Sequence, residues 1–407
     1  MDGRTLRQSR AVPLLAAVAM WGCVAVPAAP DPAALPSRVL EPPSAAWRDA
    51  VEEGRSIARS LVAEENLPGL SLAVAVNGEV VWAEGFRWAD QESQTPVTPA
   101  TLFRIGSVSE SLTAAAVGLL SERARLDLDA PVQRYVPGFP EKQWPISTRQ
   151  LMAHTAGIRR HHGEEEIFRQ VNCADDAERL AIFAGDPLRF RPGTEHAYST
   201  YGWVLVGAVV AAAANEPYLA FMQREILTPL GMKSTVPDIA GQSNPGSAHF
   251  YYPQFMLDPR YGLHDAPTAN LSCILPAGGF LSTPSDLARF GSAMMGDALL
   301  DPATVEALQT PVQLASGEST GQALGWTVQR APMGTKIVGQ GLGDPVRRSF
   351  LSAVTVGGHV SGGTTSLLTV PEHRIAIAVA SNVSGAGNVS QLSSRLADVF
   401  VREGSKR

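Results

Sequence analysis

Lysine is almost missing from this chain. Among 33 basic residues only Lys142, Lys233, Lys336 and Lys406 are lysines, and none stands three residues after a serine. Arginine effectively never deprotonates, so the remaining basic residues cannot serve as general bases. Cysteine is scarce as well, with Cys23, Cys173 and Cys273 only. No charge of one sign dominates. A formal charge of −6 gives no electrostatic reason to expect nucleic acid or an anionic membrane as partner. The one long apolar run, from Ala11 to about Val26, is short of the roughly 20 residues needed to span a bilayer. Gly-x-Ser-x-Gly, His-Glu-x-x-His and Walker sequences are all absent. "GQGLGD" at 339 to 344 lacks the third glycine of a dinucleotide loop. His161, His162 and Glu164 to Glu166 read as a solvated polar loop and not as a metal site. No metal or cofactor is expected.

What is present is an ordinary globular composition, 45% hydrophobic and 18% charged, in a chain long enough for a sizeable core. Arg4, Arg7 and Arg10 precede the apolar run, and small residues follow it, which is the pattern of a secretory signal peptide over 1–30. The expected location is periplasmic or extracellular. Cys23 after Gly22 offers a lipoprotein anchor as the alternative, and that is the only route to a membrane. Once Cys23 is removed, Cys173 and Cys273 either pair or remain two separate buried thiols.

Residues 31–46 are rich in proline and alanine and read as a tether. A helix pattern follows, carrying Trp47, Val51, Ala58, Leu61 and Val62. "LSLAVAV" and "EVVWAEGF" flank Asn77-Gly78, the strongest short-range hairpin signal. The chain closes with two more apolar segments around "PEHR" and a helix striped by Val389, Leu392, Leu396, Val399 and Phe400. Strands at both ends and a helix-rich middle predict an α+β fold. Its antiparallel sheet is built from both chain ends, flanked by terminal helices, with a mostly helical lobe inserted. The expected single domain spans 47–402, with a sheet lobe at about 47–106 and 320–402 and a helical lobe at about 107–319.

"FRIGSVSESLTAAAVGLL", residues 103 to 120, leaves two readings of Ser107 open. Ser-x-x-Glu before an apolar run is a capping box, in which Ser107 and Glu110 satisfy each other's backbone N–H groups. Ser-x-x-Lys at the same place would mark a nucleophile and its base. Further stretches decide which family to compare: "PGLSLAVAVNGEVVWAEGF", "RLDLDAPVQRYVP", "LMAHTAGI", "PGTEHAYSTYGWVLVGAVV", "LTPLGM", "PAGGFLSTPSDLARF" and "GGTTSLLTVPEHRIAIAVASN". In order and spacing, from about 50 to 402, they resemble the serine β-lactamase-related, penicillin-binding-protein-like family. That family includes class C β-lactamases, D-alanyl-D-alanine carboxypeptidases and esterases. The resemblance is greatest to the branch typified by the mitochondrial serine β-lactamase-like protein.

The resemblance implies an acyl-serine hydrolase acting on a small ester, peptide or β-lactam-like ligand. It places Ser107 at the nucleophile and Glu110 at the family's lysine, a reversal of charge. A glutamate can act as base when burial raises its pKa; once ionised it repels a developing oxyanion. The Tyr-x-Asn motif becomes Tyr198-Ser199-Thr200, so Tyr198 is expected to assist proton transfer and Thr200 to stand in the substrate-positioning place. The third motif falls in "VTVGGHVSGGTTSLL". An ungapped alignment puts Val356 at the histidine position; alignment on His359 gives His359-Val360-Ser361. The reading adopted takes His359 as the polar group, with Ser361 and Gly362 as substrate-binding positions. His154-Thr155-Ala156-Gly157 matches the family's His-Thr-Ser-Gly segment and reads as a helix end shaping the cleft floor, and Gly278 and Gly279 as close-packing positions. Two functions remain: a hydrolase with impaired turnover, and an inactive relative acting as a binding or scaffold protein.

Overall fold

Alternating large and small apolar residues fix which face of the central sheet meets which layer. The computed structural model describes residues 28–161, 171–255, 258–330, 336–340, 360–386 and 388–406. In chain order, β1 (Ser37–Arg38) precedes helix α1 (Arg48–Glu64), and β2 (Gly69–Val76) and β3 (Glu79–Asp90) form the hairpin expected at Asn77-Gly78. Both turn residues have positive φ, 53° and 87°, as a tight hairpin matching strand twist requires. β4 (Thr95–Pro96) pairs with β3, and β5 (Phe103–Arg104) leads into α2 (Val108–Glu122). The helical lobe adds α3 (Thr148–Met152) and α4 (Thr200–Ala214). β6 (Val236–Pro237) and β5 both pair with β9 (Phe280–Ser282), while β7 (Tyr251–Pro253) and β8 (Leu263–Asp265) make a separate ribbon. After α5 (Pro284–Ala293) come β10 (Thr327–Arg330), β11 (Lys336–Gln340), β12 (Thr364–Val370), β13 (Ile375–Ser381) and α6 (Val389–Gly404).

The main sheet runs β1-β3-β2-β13-β12-β11-β10 with every pairing antiparallel, so strands from the two chain ends meet at β2 and β13. Leu70, Leu72, Val74 and Val76 of β2 join Ile375, Ile377 and Val379 of β13 in a core with α1 and α6. The opposite face carries Ala73, Ala75, Ala376 and Ala378, which belong to the core shared with the helical lobe. Those short side chains let α5 come close: a Cβ on Gly291 would lie 3.1 Å from the Cβ of Ala376. Period-two alternation thus sorts one strand set between two cores.

Residues 31–46 do not hang free as a tether. Ser37 and Arg38 pair with Phe86 and Gly85 of β3, Leu35 is buried, and Ser44 N–H donates to Val81 O at 2.8 Å. Arg59 of α1 reaches across to donate to Ala33 O at 2.8 Å and to Ser37 Oγ at 3.0 Å. Proline removes donors from this strap, but its remaining carbonyls find donors on α1 and β3. Cys173 and Cys273 are joined by a disulfide across a separation of 100 residues.

Candidate active site

Ser107 sits where strand β5 turns into α2. Gly106 before it adopts φ 51°, which is cheap for glycine, and Ser107 takes a helical backbone at φ −63°, ψ −5°. A capping serine usually keeps an extended backbone so that its hydroxyl folds back over the helix end. Ser107 makes no such cap hydrogen bond, and the capping-box reading of Ser107 and Glu110 is therefore corrected. An intact capping box is formed elsewhere, at the start of α3. There Gln150 N–H donates to Ser147 Oγ and Ser147 N–H donates to Gln150 Oε1 at 3.0 Å.

The two side chains are turned instead toward Tyr198, from the segment just ahead of α4. Tyr198 Oη donates to Glu110 Oε1 at 2.5 Å. Its one proton is thereby used, so in the 2.7 Å contact between Ser107 Oγ and Tyr198 Oη the serine donates. The result is one directed chain: Ser107 Oγ–H to Tyr198 Oη–H to Glu110 carboxylate. Glu110 has no solvent exposure, and Ser107 is half-buried. Burial, and after it the negative charge and hydrogen bond of Glu110, raises the Tyr198 pKa well above that of an ordinary phenol. Tyr198 is therefore a neutral phenol at physiological pH, not a tyrosinate.

Local structure holds Tyr198 in place. Ser199 caps α4 by accepting from Gly202 N–H at 3.0 Å and donates to Arg159 O at 2.8 Å. Thr200 is buried in the first turn of α4, two residues beyond Tyr198. The guanidinium of Arg160 lies 5.8 Å from the Tyr198 ring centroid. His154, at the end of α3, is the neighbour that sequence reasoning left out of the reacting group. Its ring centroid is 4.4 Å from that of Tyr198 and its Nε2 is 3.6 Å from Glu110 Oε2. A histidine at positive φ, 57°, was the available signal, but only backbone geometry displays it.

The Ser361 hydroxyl and the Gly362 N–H are bonded within the protein. Ser361 Oγ donates to Pro267 O at 3.1 Å, and Gly362 N–H donates to Ser384 Oγ at 2.8 Å. Gly362 has φ 78°, and a Cβ there would lie 2.4 Å from Phe250 Cβ. The turn is thus pressed into the β7 neighbourhood. Arg104 connects this turn to the serine strand. It donates to Asp238 Oδ2 at 2.7 Å and to Ser361 O at 2.5 Å, while Thr365 Oγ1 donates to Arg104 O at 3.0 Å. Gly279 packs closely against Leu275, as expected; a Cβ there would lie 2.7 Å from the Leu275 Cα. Val356 and His359 lie outside the described residues, as do Cys23, His162 and Glu164 to Glu166. Among the described residues no group of three or more His, Cys, Asp or Glu side chains is placed to hold a metal ion.

A family model described as Beta-lactamase matches residues 55–399. The chain belongs to the beta-lactamase family. Within this beta-lactamase family, the human "Serine beta-lactamase-like protein LACTB, mitochondrial" is 30% identical over 328 residues, which cover 64% of this chain and 59% of the human protein. The chain thus spans about three-fifths of the length of the curated relatives it matches. The octameric penicillin-binding protein homologue from Pyrococcus abyssi superposes with a TM-score of 0.71 at 24% identity, covering 86% of this chain and 77% of that one. The D-amino acid amidase from Ochrobactrum anthropi, complexed with L-phenylalanine amide, gives 0.70 at 22% identity over 88% and 99%. These two likenesses establish the beta-lactamase-like α+β fold.

Proposed function

We propose that this chain is an exported serine hydrolase that forms an acyl-Ser107 intermediate, slowly, with Tyr198 and Glu110 standing in for the family's lysine. The observation that carries the reading is the hydrogen-bonded path from Ser107 Oγ through Tyr198 Oη to Glu110 Oε1. As Oγ attacks an acyl carbon, its proton passes to Tyr198 Oη while the tyrosine proton passes to Glu110. The phenol stays neutral throughout, which suits its raised pKa. The reverse transfer supplies the proton to the leaving group, and water then releases the acyl group. The positive end of α2 favours the negative charge that develops beside Ser107. A carboxylate at the end of the relay favours it less than a lysine would, which argues for slow turnover.

The acyl donors proposed are small esters, peptides or amides, and β-lactams, in keeping with the amidase and β-lactamase relatives. Export is supported by the basic-then-apolar N-terminus and by the Cys173–Cys273 disulfide, a bond that persists in oxidising compartments. The test is labelling of the mature protein with a fluorophosphonate, using Ser107→Ala as control. Slow labelling at Ser107 is expected, reduced about 10²-fold in Glu110→Gln, because removing a general base typically costs that much or more. An unlabelled wild-type chain refutes the reading and leaves a binding or scaffold protein. Equal rates in wild type and Glu110→Gln refute the role of Glu110 alone.

A further inference from the structure

We propose that His154 is the positioning residue of this site, bracketing Tyr198 and aiming the Glu110 carboxylate. The inference rests on the reading of Glu110 as the destination of the serine proton. His154 receives the backbone N–H on each side of Tyr198. Ala197 N–H donates to His154 O at 2.9 Å, and Ser199 N–H donates to His154 Nδ1 at 3.2 Å. The tyrosine between them has its main chain held at both flanks by one residue 44 positions earlier.

The second bond also sets the tautomer. Nδ1 accepts, so the proton of the neutral imidazole resides on Nε2. Nε2 lies 3.6 Å from Glu110 Oε2, while Tyr198 holds the other oxygen, Oε1. The carboxylate is therefore flanked by two donors of different element origin, each toward its own oxygen. Both partners are shut from water, with side-chain exposures of 1% and 0%. In such surroundings an N–H dipole directed at a carboxylate is little screened. At 3.6 Å it is outside ordinary hydrogen-bond length, and catalytic contacts of this kind commonly tighten when substrate is bound. The backbone supports the same placement. His154 holds φ 57°, a conformation in which His, Asn and Asp are enriched among non-glycine residues, and its N–H donates to Leu151 O at 3.1 Å.

Among the described residues, the titratable and charged groups facing the imidazole are Glu110 from α2, and Tyr198 and His196 from the segment before α4. The His196 ring centroid lies 5.9 Å away. Arg160, from the loop after α3, lies over the Tyr198 ring.

The test follows the Glu110 carboxyl carbon by NMR in full-length protein with 13C-labelled glutamate, assigned by its loss in Glu110→Gln. His154→Asn keeps a residue at home at positive φ and an acceptor for Ser199 N–H, but places nothing at Nε2. Losing a donor to the ionised form moves a carboxyl midpoint upward, here by about half a pH unit or more. His154→Gln, whose amide nitrogen reaches the Nε2 region, is expected to return part of the shift. Equal midpoints in wild type and His154→Asn overturn the proposal. Should His154→Asn fail to fold, the 15N spectrum of the wild-type imidazole decides: the Nε2–H tautomer is required, and Nδ1–H overturns the proposal. None of these readouts needs Ser107 to react, so a chain that resists fluorophosphonate labelling counts against the catalytic reading alone.

Discussion

Removing the Tyr198 hydroxyl interrogates the site through reactivity and stability together. Tyr198→Phe keeps the ring against His154 but deletes the oxygen lying 2.7 Å from Ser107 Oγ and 2.5 Å from Glu110 Oε1. Glu110 is fully buried and loses a charge-assisted hydrogen bond, a change of about 1.5–3 kcal/mol. Labelling of Ser107 is expected to fall by about 10²-fold or more, since the proton has lost its carrier. The alkaline limb of stability supplies a third readout. The folded-state pKa of Tyr198 lies above its ordinary value of 10.0. Above about pH 10 the unfolded chain therefore loses this proton while the folded chain keeps it, so stability falls as pH rises. Below that value both states hold the proton and the contribution is intact. One such group steepens the fall by at most about 1.4 kcal/mol per pH unit. Burial raises Tyr218 as well, and that contribution persists in the variant, leaving a shallower but nonzero slope. Urea denaturation at pH 8, 10 and 11 measures both quantities. Wild-type labelling in Tyr198→Phe refutes the relay; an unchanged alkaline slope refutes the buried phenol.

Asp398 on α6 has its pKa pushed up to about 6 by burial, partly offset by Arg402. Wild-type stability should fall as pH rises from about 4 to 6, where the unfolded carboxyl has ionised and the folded one has not. Asp398→Asn is accordingly expected to stabilise the protein at pH 7 by about 1–2 kcal/mol, allowing for partial solvent contact, and to do nothing at pH 3. Thermal melts at the two pH values check it. Arg104→Met leaves buried Asp238 without its guanidinium and Ser361 O without a donor. It should cost about 3–5 kcal/mol in chemical denaturation, with more than half recovered in Arg104→Met/Asp238→Leu.

The parts that could be read from sequence were those encoded locally. Asn77-Gly78, the large-small alternation of β2 and β13 and the apolar stripe of α6 each lie within one element, and each formed as expected. Ser107 and Tyr198, singled out by their motif frames, stand 2.7 Å apart. What failed depended on partners far along the chain. Ser107 and Glu110 spell a capping box, but a phenol from 88 residues beyond Glu110 competes for the carboxylate and wins it. His154 meets Glu110 from a left-handed turn just after α3, which no apolar period announces. Residues 31–46 look like a linker because a two-residue strand and a few carbonyl contacts leave no periodic trace. The cysteine pair could be counted but not matched.

The meeting of β2 with β13 also governs when the sheet can assemble. Residues 69–76 take residues 375–381 as neighbours on one side, so nearly the whole chain must exist before that edge is covered. An N-terminal hairpin can close within microseconds, yet its second pairing waits for the last strand. Until then β2 presents an unpaired apolar edge, the kind of surface that invites wrong partners and chaperone capture. Residues 375–381 therefore act as the clasp of the fold, and truncating the chain ahead of them leaves the N-terminal hairpin without its inner neighbour.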